Sequence, residues 1–352
     1  MLEVRPFEGS AEELTEFVVS TWKSIYAGQM AVPLWSSDYF CWQLGLEQPE
    51  RRRYLHAVYQ KGRLAGLMPE FPADFELHGK RCSGVQASWL SVPAEFRGQG
   101  VARLLADASR EQLRSSGQDF RVGYAYYGSR ASRGPGFWKK DVSTQFLRPV
   151  GFWTRILQPA RVAEWNLNRV EAVLARIASP LIRVPEAQEM DGVIIRPANE
   201  DDLESIERLA NDCTSGCDFR LIWNRDQLRR QLGLSGYSQS LVTEQNGKVT
   251  GCIAWHLLPV QARTVEVIGV LDLMFVHHLS AGIARRLMDH VLRRMYDADA
   301  IVALKLRSGD YPLSGFLRLG WVWKPADSSL LIHWAGDRPP QTPVGKFHLL
   351  WR

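Results

Sequence analysis

The chain lacks the features that would place it across a membrane, in a disulfide scaffold or on nucleic acid. No apolar run approaches the roughly twenty residues that a bilayer span requires, and Asp272 interrupts the most apolar candidate, Val270 to Val276. Five cysteines, scattered and odd in number (Cys41, Cys82, Cys213, Cys217 and Cys252), make no disulfide framework and read as reduced thiols. Metal-ligand spacing is also missing. Cys213-x-x-x-Cys217 has no second Cys/His pair at ligand distance, and His277-His278 are adjacent rather than four apart on a helix, so no metal is expected. The opening MLEVRPFEGSAEEL is acidic rather than basic and then apolar, so it is not read as a signal peptide and a cytoplasmic address is expected. A net charge of +5 is too small for a nucleic-acid face. The only basic run, Arg51-Arg52-Arg53 after Gln48-Pro49-Glu50, reads as a solvated turn. Oligomeric state is not legible.

What is present is organised around Ser88 to Gly117, SWLSVPAEFRGQGVARLLADASREQLRSSG. An apolar stretch (Trp89, Leu90, Val92) leads into the turn Arg97-Gly98-Gln99-Gly100-Val101-Ala102. A helix follows, with Val101, Leu104, Leu105, Ala108 and Leu113 at the helical period. A helix that opens out of glycine and arginine brings together unpaired backbone N–H groups, a positive dipole end and a cation, which is what a phosphate or pyrophosphate requires. The turn has no Gly-Lys-Ser/Thr ending, as a P-loop would, and Arg103 stands where a dinucleotide fingerprint needs its third glycine. The slight excess of positive charge lies in the half that carries this turn, which suits an anionic cofactor.

Arg97-x-x-Gly100-x-Ala102 resembles the coenzyme A pyrophosphate motif Gln/Arg-x-x-Gly-x-Gly/Ala of the GNAT superfamily of N-acyltransferases, and LSVPAEFRGQG resembles that family's approach to the loop. The resemblance implies acetyl-CoA as acyl donor, held by Leu90, Ser91, Val92, Arg97, Gly98, Gln99, Gly100, Val101, Ala102 and Arg103.

A repeat of long period runs through the chain. Tyr54 to Glu70 is matched by Ser240 to His256, each a strand, a turn with Lys-Gly or Gly-Lys, and a strand. Val265 to Met295 repeats the organising stretch as strand, turn (HHLSAG) and helix, with Gly282 opposite Gly100 and IARRL opposite VARLL. Each copy ends in a strand (Arg121 to Tyr127, Ala300 to Leu306), a loop and a Gly-aromatic step at Gly151-Phe152 and Gly320-Trp321. Each begins with a short strand and a helix: Leu2 to Phe7 before Ala11 to Tyr26, with Ser10 and Glu13 as capping box, and Val193 to Pro197 before Asp201 to Asn211, with Asn199 as N-cap. Between them Gln158 to Gly192 reads as a connector with one helix over Ala163 to Ile177 and a linker at Pro180 and Pro185. The expected fold class is α/β (α+β mixed sheet), two tandem GNAT-like domains at 1–157 and 192–352 joined by 158–191. The resemblance further implies two splayed central strands, here Gly84 to Val92 and Arg121 to Tyr127, with the pantetheine arm between them.

The copies differ chemically. Leu279-Ser280-Ala281-Gly282 replaces Arg97-Gly98-Gln99-Gly100, losing the cation and one glycine, and Asp272 sits in the second central strand. The amino-terminal copy is therefore expected to bind the cofactor and the second to be degenerate.

Acyl transfer to an amine needs oxyanion stabilisation and a proton for the leaving thiolate. The resemblance assigns the first to a backbone N–H around Leu90 to Val92. It assigns the second to a tyrosine four residues before the Gly of the closing step, but that position is Leu147, and Phe316 in the second copy. Tyr124, Tyr126 and Tyr127 are the nearest substitutes, or no specific acid is used. Candidate bases are Glu70, Glu76, a water relayed by Ser88, and the terminal carboxylate at Arg352 brought inward by Phe347 to Trp351. Trp35, Tyr39, Phe40 and Trp42 read as core or as an aromatic acceptor pocket. Arg130 and Arg133 in the loop Gly128 to Trp138 suggest an acidic group on the acceptor or the cofactor 3′-phosphate. The expected activity is N-acetyl transfer to a primary amine of a small molecule or peptide. A non-catalytic acyl-CoA-binding protein is the alternative, and acyl-CoA hydrolysis or decarboxylation a third.

Overall fold

Ser10 starts the first helix through reciprocal capping: its hydroxyl accepts from the Glu13 N–H at 3.2 Å while the Glu13 carboxylate accepts from the Ser10 N–H at 2.8 Å. Two donors that a helix start leaves open are thereby satisfied. The structure is a computed structural model that describes residues 1–352 except 130, 133, 179, 181, 183, 338, 340–342 and 352. The chain forms two units, Met1–Val150 with Ala326–Gly345, and Gly151–Pro325 with Lys346–Trp351.

The first unit contains β1 (Leu2–Pro6), α1 (Ala11–Tyr26), β2 (Val32–Pro33), α2 (Ser37–Leu44), β3 (Leu55–Gln60), β4 (Arg63–Leu77), β5 (Lys80–Ala87), α3 (Val101–Ser115), β6 (Phe120–Tyr126), α4 (Gly134–Trp138) and β7 (Thr144–Val150). Its strands run β1-β3-β4-β5-β6, then Ser328–Trp334 from near the chain end, then β7. Pairing is antiparallel except between β5 and β6, which run parallel from Gly84↔Phe120 to Ala87↔Gly123. The buried face of α3 (Val101, Leu105) packs with Val58, Ala65, Met68 and Phe96. Gly66 makes this possible, because a Cβ there would come within 2.4 Å of Val101 Cγ1.

The second unit contains β8 (Phe152–Ile156), α5 (Pro159–Trp165), α6 (Arg169–Ala178), β9 (Ile194–Pro197), α7 (Leu203–Thr214), β10 (Phe219–Leu221), α8 (Arg225–Gln231), β11 (Gln239–Gln245), β12 (Lys248–Gln261), β13 (Val265–Phe275), α9 (Ala281–Asp297), β14 (Ala300–Leu306), α10 (Leu313–Arg318) and β15 (Val322–Trp323). Beyond β16, the strand Ser328–Trp334 already placed in the first sheet, comes β17 (Phe347–His348). The order β15-β8-β14-β13-β12-β11-β9 repeats that of the first unit, again with one parallel pair, β13 and β14. Contiguous halves at 1–157 and 192–352 would have kept Phe152–Ile156 in the first sheet and Ser328–Trp334 in the second. Instead β8 pairs with β14 from Val302↔Ile156 to Leu306↔Phe152, and β16 pairs with β6 from Ser328↔Tyr126 to Trp334↔Phe120.

The connector holds two helices where one was expected. The Asn166 side chain accepts from the Asn168 N–H at 2.9 Å, and Asn168 Oδ1 accepts from the Val170 N–H at 3.0 Å, so the chain breaks and restarts on Asx capping. Asn199 caps as expected, opening a 3-10 turn over Glu200–Asp202 that leads into α7. The tail is fastened in the second unit by His348, whose Nδ1 lies 3.1 Å from Asp310 Oδ2 while its Nε2 accepts from Trp223 Nε1 at 3.1 Å. No helix among the described residues is long and apolar enough to cross a membrane.

Candidate active site

The two central strands of the first sheet part after Ala87↔Gly123. The β4 side continues as a bridge between Leu67 and Ser91, with Leu67 N–H to Ser91 O at 3.0 Å and Ser91 N–H to Leu67 O at 2.9 Å. Between these anchors the chain bulges, and Trp89 adopts φ 56°, a left-handed conformation that costs a bulky residue about 1–2 kcal/mol. Packing holds it there. The rings of Trp35, Tyr39 and Phe40 surround Trp89 edge to face at 5.4 to 6.4 Å, and Trp22 donates its Nε1–H to Ser91 Oγ at 3.1 Å. Trp35, Tyr39, Phe40 and Trp42 are all buried, so of the two readings offered for them the core reading describes their environment. At the mouth of the split Ser88 Oγ and Trp89 Nε1 are buried with no hydrogen-bond partner among the described residues. Buried polar atoms are rarely left so without a ligand or water to meet them.

The Arg97 turn follows directly. Gly98 and Gly100 have φ 80° and 85°, conformations open to glycine at little cost, and a Cβ at either would meet nothing within 4 Å. Gly100 is the N-cap of α3 and offers no side chain to it. The first i→i−4 bond runs from the Leu104 N–H to Gly100 O at 3.0 Å, leaving the N–H groups of Val101, Ala102 and Arg103 ahead of the helical ladder, at its positive end. Arg97, half-exposed, is steered back by an Nε–H donated to Val92 O at 3.3 Å. The side chains of Gln99 and Arg103 are engaged within the protein: Gln99 with Glu95 O and Gln60, Arg103 with Asp107 at 3.0 Å. These two residues can offer a ligand their backbone N–H groups.

The second unit has the same split and a different turn. Its ladder slips at Asp272, which lies between Leu271↔Trp255 and Leu273↔Ala254. The buried carboxylate meets His256 Nδ1 at 2.7 Å. Helix α9 starts at Ala281, so Gly282 lies within it rather than in a loop, and Ser280 caps the end by accepting the Ile283 N–H at 3.4 Å. The Met190 Cε stands 3.8 Å from where a Cβ on Gly282 would be.

Glu70 lies opposite Ala87, yet it does not face solvent. It is 2 % exposed and accepts from Ser109 Oγ at 2.6 Å, with His56 Nε2 at 3.1 Å and the Arg121 guanidinium at 3.7 Å. Burial would raise its pKa, but His56, Arg121 and Ser109 together bring it below the ordinary value. A carboxylate committed to this buried network is a poor solvent-side base, which corrects that expectation. Glu76 pairs with Arg81, six residues along β4 from Glu70 and hence about 20 Å from the split. Neither His56 nor Ser109 was recognised from sequence, because ordinary residues 14 and 39 positions from Glu70 carry no local signal.

Tyr124 and Tyr126 lie on the part of β6 beyond the last pair with β5. Tyr126 is half-buried, and burial, then Asp327 and Tyr26, raise its pKa to about 12. Tyr127 is 41 % exposed and donates its backbone N–H to Asp327 O at 2.7 Å. Arg130, Arg133 and Arg352 lie outside the described residues. Cys213 and Cys217 are buried free thiols, and no group of three or more metal-ligating side chains occurs among the described residues.

Two sheets of one strand order, each parting beyond its one parallel pair, define a single mixed-sheet fold used twice. Residues 19–134 match the family model described as acetyltransferase (GNAT) domain. The N-myristoyltransferase of Saccharomyces cerevisiae with bound myristoyl-CoA superposes with a TM-score of 0.72 at 16% identity, over 97% of this chain and 82% of that one. A GCN5-related N-acetyltransferase from Anabaena variabilis ATCC 29413 gives 0.56 at 11% identity, over 94% and 72%. No curated protein matches by sequence. Residues 19–134 therefore form a GNAT-type domain, and over nearly its whole length the chain shares the fold of these solved structures.

Proposed function

We propose that the first unit is an acyl-CoA-dependent N-acyltransferase site. The Arg97–Arg103 turn takes the pyrophosphate on the N–H groups of Gly98 to Arg103 with Arg97 as cation, and the pantetheine arm enters the split beside Leu90, Ser91 and Val92. The observation that carries this reading is the juxtaposition of an open helix start behind two left-handed glycines with a strand split lined by orphaned buried polar atoms, Ser88 Oγ and Trp89 Nε1. A pyrophosphate satisfies the first and a thioester-bearing chain the second.

Acetyl-CoA is the proposed donor, because the packed rings around Trp89 favour a short acyl group behind the bulge. The acceptor is a primary amine of a small molecule or peptide. Backbone N–H groups around Leu90 to Val92 meet the oxyanion, and attack by the neutral amine forms the C–N bond as the C–S bond breaks and the thiolate leaves. Tyr126 gives that thiolate its proton, and the proton shed by the acylated nitrogen restores the phenol. Its high pKa keeps it protonated throughout the neutral range, which a general acid requires. The second unit, with its self-capped α9 and buried Asp272, is without a donor site in this reading.

The sequence resemblance puts Leu147 rather than a tyrosine at the usual acid position, and although Leu147 lies in β7, the missing tyrosine favours one competing reading, a protein that binds acyl-CoA without turning it over. Thiol release from acetyl-, octanoyl- and myristoyl-CoA over a panel of amines separates the two. Amine-dependent release, fastest with acetyl-CoA, is expected. Tight binding with no release supports the binding protein, and release without any amine supports hydrolysis.

A further inference from the structure

Helix α6 leaves an apolar stripe uncovered. Val170, Val173, Leu174 and Ile177 recur at the helical spacing on one face and are 54 to 68% exposed, while Ala172 and Ala175 form the buried face. A surface helix ordinarily turns its large apolar residues inward and its small or polar ones outward, and here the arrangement is inverted. At about 100° per residue Arg169 and Arg176, both exposed, fall side by side along the Val173 edge of the stripe. Arg263, also exposed, donates to Leu167 O at 3.2 Å and brings a third cation to the start of the helix. The acid on the opposite edge, Glu171, is neutralised by Lys324 and accepts from Asn166 at 2.8 Å. Lys324 also ties the helix to the edge strand β15, whose Val322 and Trp323 are exposed, with the Arg307 guanidinium 5.7 Å from the Trp323 ring.

We infer that α6 docks on an anionic lipid surface. Four aliphatic side chains on about 15 Å of helix, edged by arginines, are the pattern of a helix lying in the plane of a membrane interface. Arginine stems reach past the apolar face to headgroup phosphates, and tryptophan suits the same boundary. A second copy of the chain is the poorer occupant, because pairing two such stripes would bring Arg169 and Arg176 of one copy against those of the other. This inference does not depend on the acyltransferase reading.

Flotation of the full-length chain with vesicles of phosphatidylcholine alone or containing phosphatidylglycerol tests it. Binding to the anionic vesicles is expected, falling at least about tenfold in the Val173→Asp, Leu174→Asp double variant and losing its salt sensitivity in Arg169→Glu, Arg176→Glu. The substituted side chains are exposed, so circular dichroism and acetyl-CoA affinity stay as in the parent and distinguish lost docking from lost folding. Absence of flotation with anionic vesicles, flotation unchanged in the apolar variant, or a dimer in sedimentation that the same variant dissociates would each overturn the inference.

Discussion

The indole N–H of Trp22 donates to the hydroxyl of Ser91 at 3.1 Å, and that hydroxyl donates in turn to Trp89 O at 2.8 Å. One side chain of α1 therefore fastens the bulge that opens the sheet. Trp22→Phe keeps a ring in the cluster and deletes only the donor. It should cost about 0.5–1.5 kcal/mol in urea unfolding and lower kcat more than it raises KM for the donor, because the backbone N–H groups of the bulge lose their fixed direction. A change in KM alone would count against an orienting role for this contact.

The two helix starts give a paired test. Arg97→Ala removes a charge-assisted contact worth about 1.5–3 kcal/mol, equivalent to at least about tenfold in acetyl-CoA affinity. Gly98→Val forces a β-branched residue into φ 80° and should weaken binding as much. Ser280→Ala should cost about 1 kcal/mol of stability through the lost cap and leave affinity unaltered, as should Ser280→Val. Calorimetry showing equal losses from both units would exclude a single donor site.

Tyr126→Phe should lower turnover by about a hundredfold while the calorimetric affinity for acetyl-CoA stays put, whereas Tyr127→Phe, at an exposed position, should do little. The acid form is the active one and is lost only as pH rises through about 12. The pH–rate profile of the parent should therefore show no alkaline fall attributable to this phenol below about pH 11. Unchanged turnover in Tyr126→Phe would remove it as the acid.

Acid should destabilise the first unit in two stages. His333, whose Nε2 accepts from Arg110 at 3.0 Å and whose Nδ1 lies 3.1 Å from Thr144 Oγ1, has its pKa pushed down to about 2 by burial and then by Arg121 and Arg110. The unfolded chain takes up a proton there near its ordinary 6.5 while the folded one refuses it, so stability declines as pH falls below that value. Glu70 adds a second decline, because its folded pKa lies below its ordinary value and its contribution disappears as pH falls through the folded one. Urea midpoints should be flat near neutrality and descend below about pH 6.5. Glu70→Gln should cost about 3–5 kcal/mol at neutral pH by leaving Arg121 buried without its counter-charge. A midpoint independent of pH would refute the account.

Local chemistry made much of this legible in the sequence. The capping box of α1, the glycines and arginine of the turn, the helical period of α3 and the repeated order of elements all act over a few residues, and the divergence between Arg97-Gly98-Gln99-Gly100 and Leu279-Ser280-Ala281-Gly282 could be read directly. How Ser280 and Gly282 are used was not, because the turn was read as a copy of the Arg97 turn, whereas the Ser280 cap starts α9 at Ala281 and takes Gly282 into the helix.

By itself, then, the sequence determined the class of fold, the doubling and the place of the turn, since those rest on periodicity and on side chains that act on their own backbone. Only the tertiary structure decided that β8 belongs to the second sheet and β16 to the first, against the contiguous halves read in the sequence, that Glu70 is enclosed by His56, Ser109 and Arg121, and that α6 shows its aliphatic face outward. The physical reason is common to all three. Strand pairing, burial of charge and helix orientation are set by partners tens to hundreds of residues away, and no window of neighbouring residues contains them.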